Sequence, residues 1–205
     1  MPQYKLIYFD ARGRAELTRW IFAYGGIDYV DERIKKEDWP ERKKSIFSGK
    51  VPVLMVDDTT VPESRAIARY AAKLAGLYPD DDLDAALSDA ICDKIADTVT
   101  QIYKIRFSEK TEEEKKKEFE EDLYPNVMKP FLERLEKWLT NKEWFVPNKP
   151  QISWADLCIS QTLGTMLDKA PEKLEPYPTV LAHVQKVREI PSIKNWIETS
   201  PQTQF

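Results

Sequence analysis

The chain has 205 residues, 42% of them hydrophobic and 32% charged, which is ordinary for one large or two small soluble domains. A formal net charge of −4 argues against nucleic acid as the main partner. One histidine and two cysteines are too few for a usual zinc site or a disulfide framework, and they favour a reducing, cytoplasmic location. No apolar run is long enough to span a bilayer, so we expect no membrane partner.

The first 76 residues show the pattern of a mixed α/β domain. Strands are predicted at 4–9, 29–34, 53–56 and 59–61, with one helix ending at Gly25-Gly26 and another starting at an N-cap, Ser64. A parallel βαβ unit followed by an antiparallel ββα unit is the thioredoxin-like arrangement. The pattern therefore predicts a four-stranded sheet with helices on both faces.

The strand pattern disappears after a predicted linker, 77–82, and residues 83–205 are predicted to form an all-helical domain. Capping boxes at Thr111 and Ser153 open two of its helices, and Pro125 should interrupt the first of these. His183 lies in an apolar helical pattern, so we interpret it as a core or surface histidine.

The loop before the third strand has the features of a peptide-binding site. Val51-Pro52 is a candidate cis peptide bond, which would leave the backbone groups of Val51 free to pair with an extended ligand. Lys50 and the helix start at Ser64 would attract carboxylates. The alternative is a plain connection in which Ser64 caps the helix and nothing binds.

Tyr8 lies at the end of the first predicted strand, where ligands of open α/β sheets collect. A phenol hydroxyl there can donate a hydrogen bond to a bound thiolate and so lower the pKa of the thiol. The alternative interpretation is an aromatic residue of the core or of its rim.

A set of motifs that spans essentially the whole chain resembles the cytosolic glutathione transferases, and within them the sigma class. The motifs are Tyr8-Phe9, Arg12-Gly13-Arg14-Ala15-Glu16, Asp38-Trp39-Pro40, Gly49-Lys50-Val51-Pro52-Val53-Leu54, Glu63-Ser64-Arg65-Ala66-Ile67-Ala68-Arg69-Tyr70, Trp154-Ala155-Asp156 and Pro201-Gln202-Thr203. The resemblance implies an enzyme that conjugates glutathione, its co-substrate, to small hydrophobic electrophiles.

The resemblance also implies a role for each matching residue. Tyr8 would hold the glutathione sulfur, with Arg14 supporting it electrostatically. The implied contacts with the rest of glutathione come from Trp39, Lys43, Lys50, Val51, Pro52, Glu63, Ser64 and, from the second subunit of a homodimer, Asp97. The candidate walls of the electrophile site are Phe9, Ala11, Val99, Tyr103, Cys158, Thr162 and Phe205.

Three positions depart from the family pattern. Glu63 stands where the family usually has glutamine, and a second carboxylate beside the γ-glutamyl carboxylate should weaken glutathione binding. The vertebrate prostaglandin D synthase of this class has an aspartate that binds a divalent cation at the position of Ala96, so no metal requirement is expected here. It also has an aromatic wall at the position of Lys104, so its isomerase activity is not carried over.

Three other functions compete with conjugation. The chain could be a non-catalytic, crystallin-like or ligand-carrying member of the same fold, or a glutathione-dependent prostaglandin isomerase. Glutathione-dependent disulfide reduction needs a cysteine at the start of the first helix, and the loop from Asp10 to Arg14 contains none. The physiological electrophile is not indicated by any motif.

Overall fold

The computed structural model describes residues 2–46, 48–146 and 151–203. Contacts along the chain divide it into two units. The first unit combines Met1–Tyr78 with Glu189–Phe205, and the second is Pro79–Arg188. Within the described residues, no helix is both long and apolar enough to cross a membrane.

The first unit is built on a four-stranded mixed sheet. Its strands are β1 (Tyr4–Phe9), β2 (Val30–Ile34), β3 (Val53–Val56) and β4 (Thr59–Pro62), in the order β2-β1-β3-β4. β1 pairs with β2 in parallel, and the other two pairs are antiparallel. Leu6, Ile7, Val53 and Leu54 are buried because the central strands have helices against both faces. The thioredoxin-like prediction is confirmed.

The helices of this unit are α1 (Glu16–Gly25), the short α2 (Trp39–Arg42), α3 (Ser64–Leu74) and α9 (Pro191–Thr199). α1 ends as predicted, because Gly26 adopts a left-handed φ of 59° at its C-cap. α1 packs against α3 and α9.

The C-terminal segment lies with the sheet unit, although the sequence analysis grouped it with the helical domain. The reason is a specific contact: the indole Nε1 of Trp196 on α9 donates to Glu16 Oε1 on α1 at 2.8 Å. Glu16 is almost fully buried, so its carboxylate needs such partners. Apolar periodicity identified the helix of Trp196 but gave no information about which unit it packs on.

The start of α3 corrects one prediction. Ser64 is the first helical residue rather than the N-cap, and the N-cap position belongs to Glu63, whose carbonyl accepts from Ile67 N–H at 3.0 Å. Glu63 has a φ of 70°, a value that a non-glycine residue rarely adopts, and no side chain caps the helix. The sequence pattern failed here because serine is a frequent N-cap, whereas this turn is set by the backbone of the residue before it.

The second unit is entirely helical in its described residues. Its α-helices are α4 (Asp82–Arg106), α5 (Glu112–Glu118), α6 (Lys129–Leu139), α7 (Trp154–Lys169) and α8 (Pro178–Arg188). α7 packs against both α4 and α8, which makes it the central helix. Pro125 lies inside a π-helical segment, Phe119–Met128, consistent with the predicted interruption.

Both predicted capping boxes are present. At the start of α7, Ser153 Oγ donates to Asp156 Oδ2 at 2.6 Å, and the Ser153 N–H donates to the same oxygen at 2.8 Å. The other carboxylate oxygen of Asp156 accepts from Phe145 N–H at 3.0 Å and lies 3.4 Å from His183 Nε2. Burial lowers the pKa of His183 despite the opposing effect of Asp156, so the histidine stays neutral at pH 7.

The lowered pKa of His183 gives stability a pH dependence. At a pH below 6.5, the ordinary pKa of histidine, the unfolded chain binds a proton at His183 that the folded chain binds only at a lower pH. The free energy of unfolding should therefore decrease as the pH decreases. His183→Gln removes this linkage and should flatten the fall between about pH 7 and about pH 5, although it lowers stability at pH 7. Urea unfolding midpoints of the wild type and the variant across that range measure this pH dependence. If the midpoints of both proteins fell in parallel, the lowered pKa of His183 would not be its cause.

Candidate functional site

The strand register brings three chain segments to one edge of the sheet. Val53 is paired with Ile7 of β1 on one side and with Pro62 of β4 on the other. Tyr8 follows Ile7 and Glu63 follows Pro62. Because β1 and β4 run in the same direction, both residues lie at the same end of the strands. The cis proline loop that leads into β3 meets them at the same edge. Residues that are distant in sequence therefore lie at the same edge of the sheet because of antiparallel pairing.

Tyr8 has a defined hydroxyl geometry. Its Oη accepts a hydrogen bond from the backbone N–H of Arg14 at 3.2 Å, and only 9% of the residue is exposed. Because the accepted bond occupies one lone pair, the hydroxyl proton is free to be donated to a ligand. The Phe9 ring packs edge-on against the Tyr8 ring, with centroids 5.6 Å apart, which restricts the orientation of the tyrosine.

Gly13 makes this geometry possible. A Cβ at this position would lie 2.6 Å from Tyr8 Oη and 2.8 Å from Cε1, closer than real Cβ atoms approach. The residue also has a positive φ of 44°, at the start of the 3₁₀ turn Gly13–Ala15. In the sequence, Gly13 stands out only as part of a motif, although a glycine between two arginines before a helix is a recognisable turn signal.

Next to Tyr8, an aromatic and apolar cluster supports the cis proline loop. The Val51-Pro52 peptide bond is cis, as predicted. Val51, Phe9 and Trp39 pack against the buried Ile7, Ile34, Ile46 and Val53. The rings of Phe9 and Trp39 meet edge-on with centroids 5.1 Å apart. Three of the predicted site residues therefore share one apolar support.

The predicted lysines both precede β3: Lys43 begins a short 3₁₀ helix, Lys43–Ser45, and Lys50 lies in the loop that leads into the strand. Gly49 has a positive φ of 60°, and a Cβ there would lie 3.6 Å from Lys43 Cε, so the Lys43 stem runs along this loop. Ser48 Oγ donates to the Lys50 carbonyl at 2.8 Å and accepts from its N–H at 3.3 Å, which fixes the backbone of Lys50. Both lysines are exposed, so their ammonium groups are available to a carboxylate.

The uncapped start of α3 is the second anion-attracting feature of this edge. Because no side chain caps the helix, no cap uses the first amide donors of α3, and the positive end of its dipole favours an anion. Ser64 is half-buried at the first helical position, and Glu63 beside it is exposed. A carboxylate ligand would gain from the helix and lose from Glu63.

Five of the remaining predicted residues lie in the helical unit, whereas Ala11 lies in the sheet unit. Asp97 is exposed on α4, where Val99 and Tyr103 are half-buried and one turn apart. Cys158 is buried on α7 and Thr162 lies one turn further along, half-buried. Phe205 lies outside the described residues.

Neither cysteine lies in the sheet unit. Cys92 and Cys158 are free and buried, and their side chains interact across the packed pair α4 and α7. Burial, followed by the hydrogen bond with Cys158, raises the pKa of Cys92 well above its ordinary value. The described residues contain no cluster of three or more His, Cys, Asp or Glu side chains that could hold a metal ion. A nucleophilic sulfur at the sheet edge would therefore have to come with the ligand.

Two separate comparisons identify the relatives of the chain. Family models of the glutathione S-transferase N-terminal and C-terminal domains match residues 4–73 and 96–200. The chain belongs to the glutathione S-transferase family. It is 39% identical to the hematopoietic prostaglandin D synthase of Gallus gallus over 99% of both chains, and 34% identical to glutathione S-transferase 1 of Ascaris suum over 100% of both.

The fold agrees with this assignment. A solved structure of rat hematopoietic prostaglandin D synthase complexed with a quinoline superposes with a TM-score of 0.89, at 38% identity, over 100% of both chains. Both family domains and the full length of these relatives are therefore represented in this chain.

Gly13→Ala should displace the Tyr8 hydroxyl. The new methyl group cannot share the space of Tyr8 Oη, so we expect glutathione conjugation to fall by about 10- to 100-fold, the scale of a displaced reacting group. Gly26→Ala is the matched control, since Gly26 has a φ of 59° and open space around its added Cβ. Each variant should lose about 1–2 kcal/mol of stability through its backbone.

Thermal unfolding and kcat/KM for an aryl halide, measured on both variants, distinguish strain from displacement. Equal losses of activity in the two proteins would show that Gly13 serves only the turn.

Proposed function

We propose that this protein is a sigma-class glutathione transferase that conjugates the thiolate of glutathione to small hydrophobic electrophiles, with a role in detoxification. The observation that carries the proposal is the Tyr8 hydroxyl, which accepts from the Arg14 N–H and retains its own proton for donation. We place the protein in the cytoplasm, supported by its two free, buried cysteines.

In the proposed reaction, Tyr8 Oη–H donates to the glutathione sulfur and stabilises it as a thiolate, and the thiol proton passes to solvent. The sulfur electron pair then forms a bond to the electrophilic carbon. With an aryl halide, the carbon–halogen bond breaks and the halide leaves with its electron pair. Arg14 supports Tyr8 through the main-chain contact, and the electrostatic role implied for its side chain remains a prediction.

We assign the ends of glutathione to the two anion-attracting parts of the sheet edge. The glycyl carboxylate would meet Trp39, Lys43 and Lys50, and the cysteinyl unit would pair with the backbone of Val51 beside Pro52. The γ-glutamyl carboxylate would take the open start of α3 at Ser64, which its negative charge fits. The electrophile-binding residues remain those proposed from the sequence, and no metal is required in this scheme.

We propose a homodimer in which Asp97 of one subunit meets the γ-glutamyl ammonium bound by the other. The support is the exposed position of Asp97 on α4, where its carboxylate can reach an ammonium group outside its own subunit.

A glutathione-dependent isomerisation is the second candidate, since the relatives named prostaglandin D synthase are 38–39% identical to this chain. Both reactions use the same activated thiolate. Lys104 is exposed on α4 and places a charge where that enzyme has an aromatic wall, which favours conjugation. The other alternative is a crystallin-like, non-catalytic role. Turnover of an electrophile with glutathione would exclude it.

Tyr8→Phe keeps the ring and removes the one donor to sulfur. We expect kcat/KM for an aryl halide to fall by about 10²-fold or somewhat less, because sulfur accepts weaker hydrogen bonds than oxygen. Glutathione should still bind through its carboxylates. The pKa of the bound thiol should rise toward about 8.5, so the loss of activity should shrink as pH increases.

The measurement is kcat/KM of both proteins from about pH 6 to about pH 9. Parallel profiles, without an upward shift in the variant, would show that Tyr8 is only a wall of the site. Inactivity of the wild-type protein toward a panel of electrophiles would contradict the proposed function itself.

Glu63→Gln tests the γ-glutamyl assignment. Removing an exposed carboxylate beside the start of α3 should lower the KM for glutathione by about two- to fivefold, the scale of an exposed charge interaction. kcat should be nearly unchanged, since the contact is the same in the ground and transition states. A sharp fall in kcat would move Glu63 out of this role.

A further inference from the structure

Arg19 on α1 is a fully buried arginine beneath the loop that carries Arg14. Its Nη1 donates to the Ala11 carbonyl at 2.7 Å and to the Arg12 carbonyl at 3.4 Å. The same nitrogen contacts Glu16 Oε2 at 3.2 Å, and Nε donates to Asp31 Oδ1 at 3.2 Å. The guanidinium therefore links a loop backbone to two carboxylates.

The two carbonyls that Arg19 holds immediately precede the Tyr8 contact. Ala11 and Arg12 are followed by Gly13 and then by the amide of Arg14, which donates to Tyr8 Oη. With both carbonyls fixed, few backbone rotations remain that could turn this amide away from the hydroxyl. The position of the hydroxyl thus depends on a side chain that does not itself bond to it.

The environment of Arg19 indicates that the residue positions the loop and does not supply a net positive charge to the site. Glu16 and Asp31 neutralise its charge, and Arg33 Nε in turn donates to Asp31 Oδ2 at 2.8 Å. The guanidinium carbon lies 6.0 Å from the centroid of the Tyr8 ring, at the outer limit of a cation–π contact. What the site uses is the planar fork, in which Nη1 reaches the loop and Glu16 while Nε reaches Asp31. The single nitrogen of a lysine cannot reach both sides at once.

The far end of the network is anchored in the C-terminal segment. Glu16 Oε1 accepts from Trp196 Nε1 at 2.8 Å while Oε2 contacts Arg19. Arg12 Nη2 also donates to Gln202 Oε1 at 3.5 Å. The C-terminal segment therefore contacts both the carboxylate that orients Arg19 and the loop that Arg19 holds.

We propose that Arg19 is a positioning residue for the glutathione thiolate. Its fork, oriented by Glu16 and Trp196, holds the Ala11 and Arg12 carbonyls and keeps the Arg14 amide aligned with Tyr8 Oη. The inference rests on the proposed function, in which this hydroxyl stabilises the thiolate.

Arg19→Lys keeps the charge and removes the fork. We expect kcat/KM near neutral pH to fall by about 10- to 100-fold, and the pH profile to shift upward as in Tyr8→Phe. Glutathione affinity, measured by calorimetry, should change by less than about threefold, since the carboxylate contacts lie elsewhere on the sheet edge. Arg188→Lys is the matched control: it alters an arginine that donates two bonds to Asp168 in the helical unit.

Trp196→Phe is the second variant, and it decides the question if Arg19→Lys does not fold. Loss of the indole donor should loosen Glu16 and give a smaller upward shift of the same profile. An active wild type with unshifted profiles in the folded variants would overturn the inference and leave the proposed function intact. An inactive wild type would instead contradict the proposed function.

Discussion

The hydrogen bond from the Arg14 amide to Tyr8 Oη is the interaction on which the site depends. A phenol at a sheet edge can ordinarily rotate its hydroxyl and exchange partners with water. Here the hydroxyl oxygen already accepts from the amide, and the edge-on Phe9 ring and the close approach of Gly13 restrict its position. The hydroxyl can therefore act on a ligand as a hydrogen-bond donor. The family chemistry needs a donor of this kind because the ligand, and not the protein, supplies the sulfur.

The rest of the sheet edge follows from strand pairing. Because β3 runs antiparallel to both of its neighbours, its beginning meets the ends of β1 and β4, and the cis proline loop, Tyr8 and the start of α3 converge. An extended backbone, two exposed lysines and an uncapped helix together fit a short acidic peptide better than any one of them alone. The charge of the exposed Glu63 opposes this fit.

Much of this arrangement was predictable from the sequence. Alternating strands and helices, Gly26 as a C-cap and the cis Val51-Pro52 bond each have local signals, and the structure confirms them. Ser64 was wrongly predicted as an N-cap, since a positive φ at Glu63 has no local signature. Arg19 was missed because an arginine on an amphipathic helix normally indicates an exposed position, and its burial depends on Asp31 from another strand. The packing of α9 on the sheet unit was also missed, because it depends on the contact of Trp196 with Glu16, a residue far away in the sequence.

Direct titration of glutathione bound to the wild-type protein tests the central claim most simply. The ultraviolet absorbance of the thiolate, measured against pH with S-methylglutathione as the blank, reports the pKa of the bound thiol without any electrophile. If the oriented Tyr8 hydroxyl stabilises sulfur, the pKa should lie well below the value of about 8.5 for a free thiol. A bound thiol that titrates at the free value would contradict the account, however tightly glutathione binds.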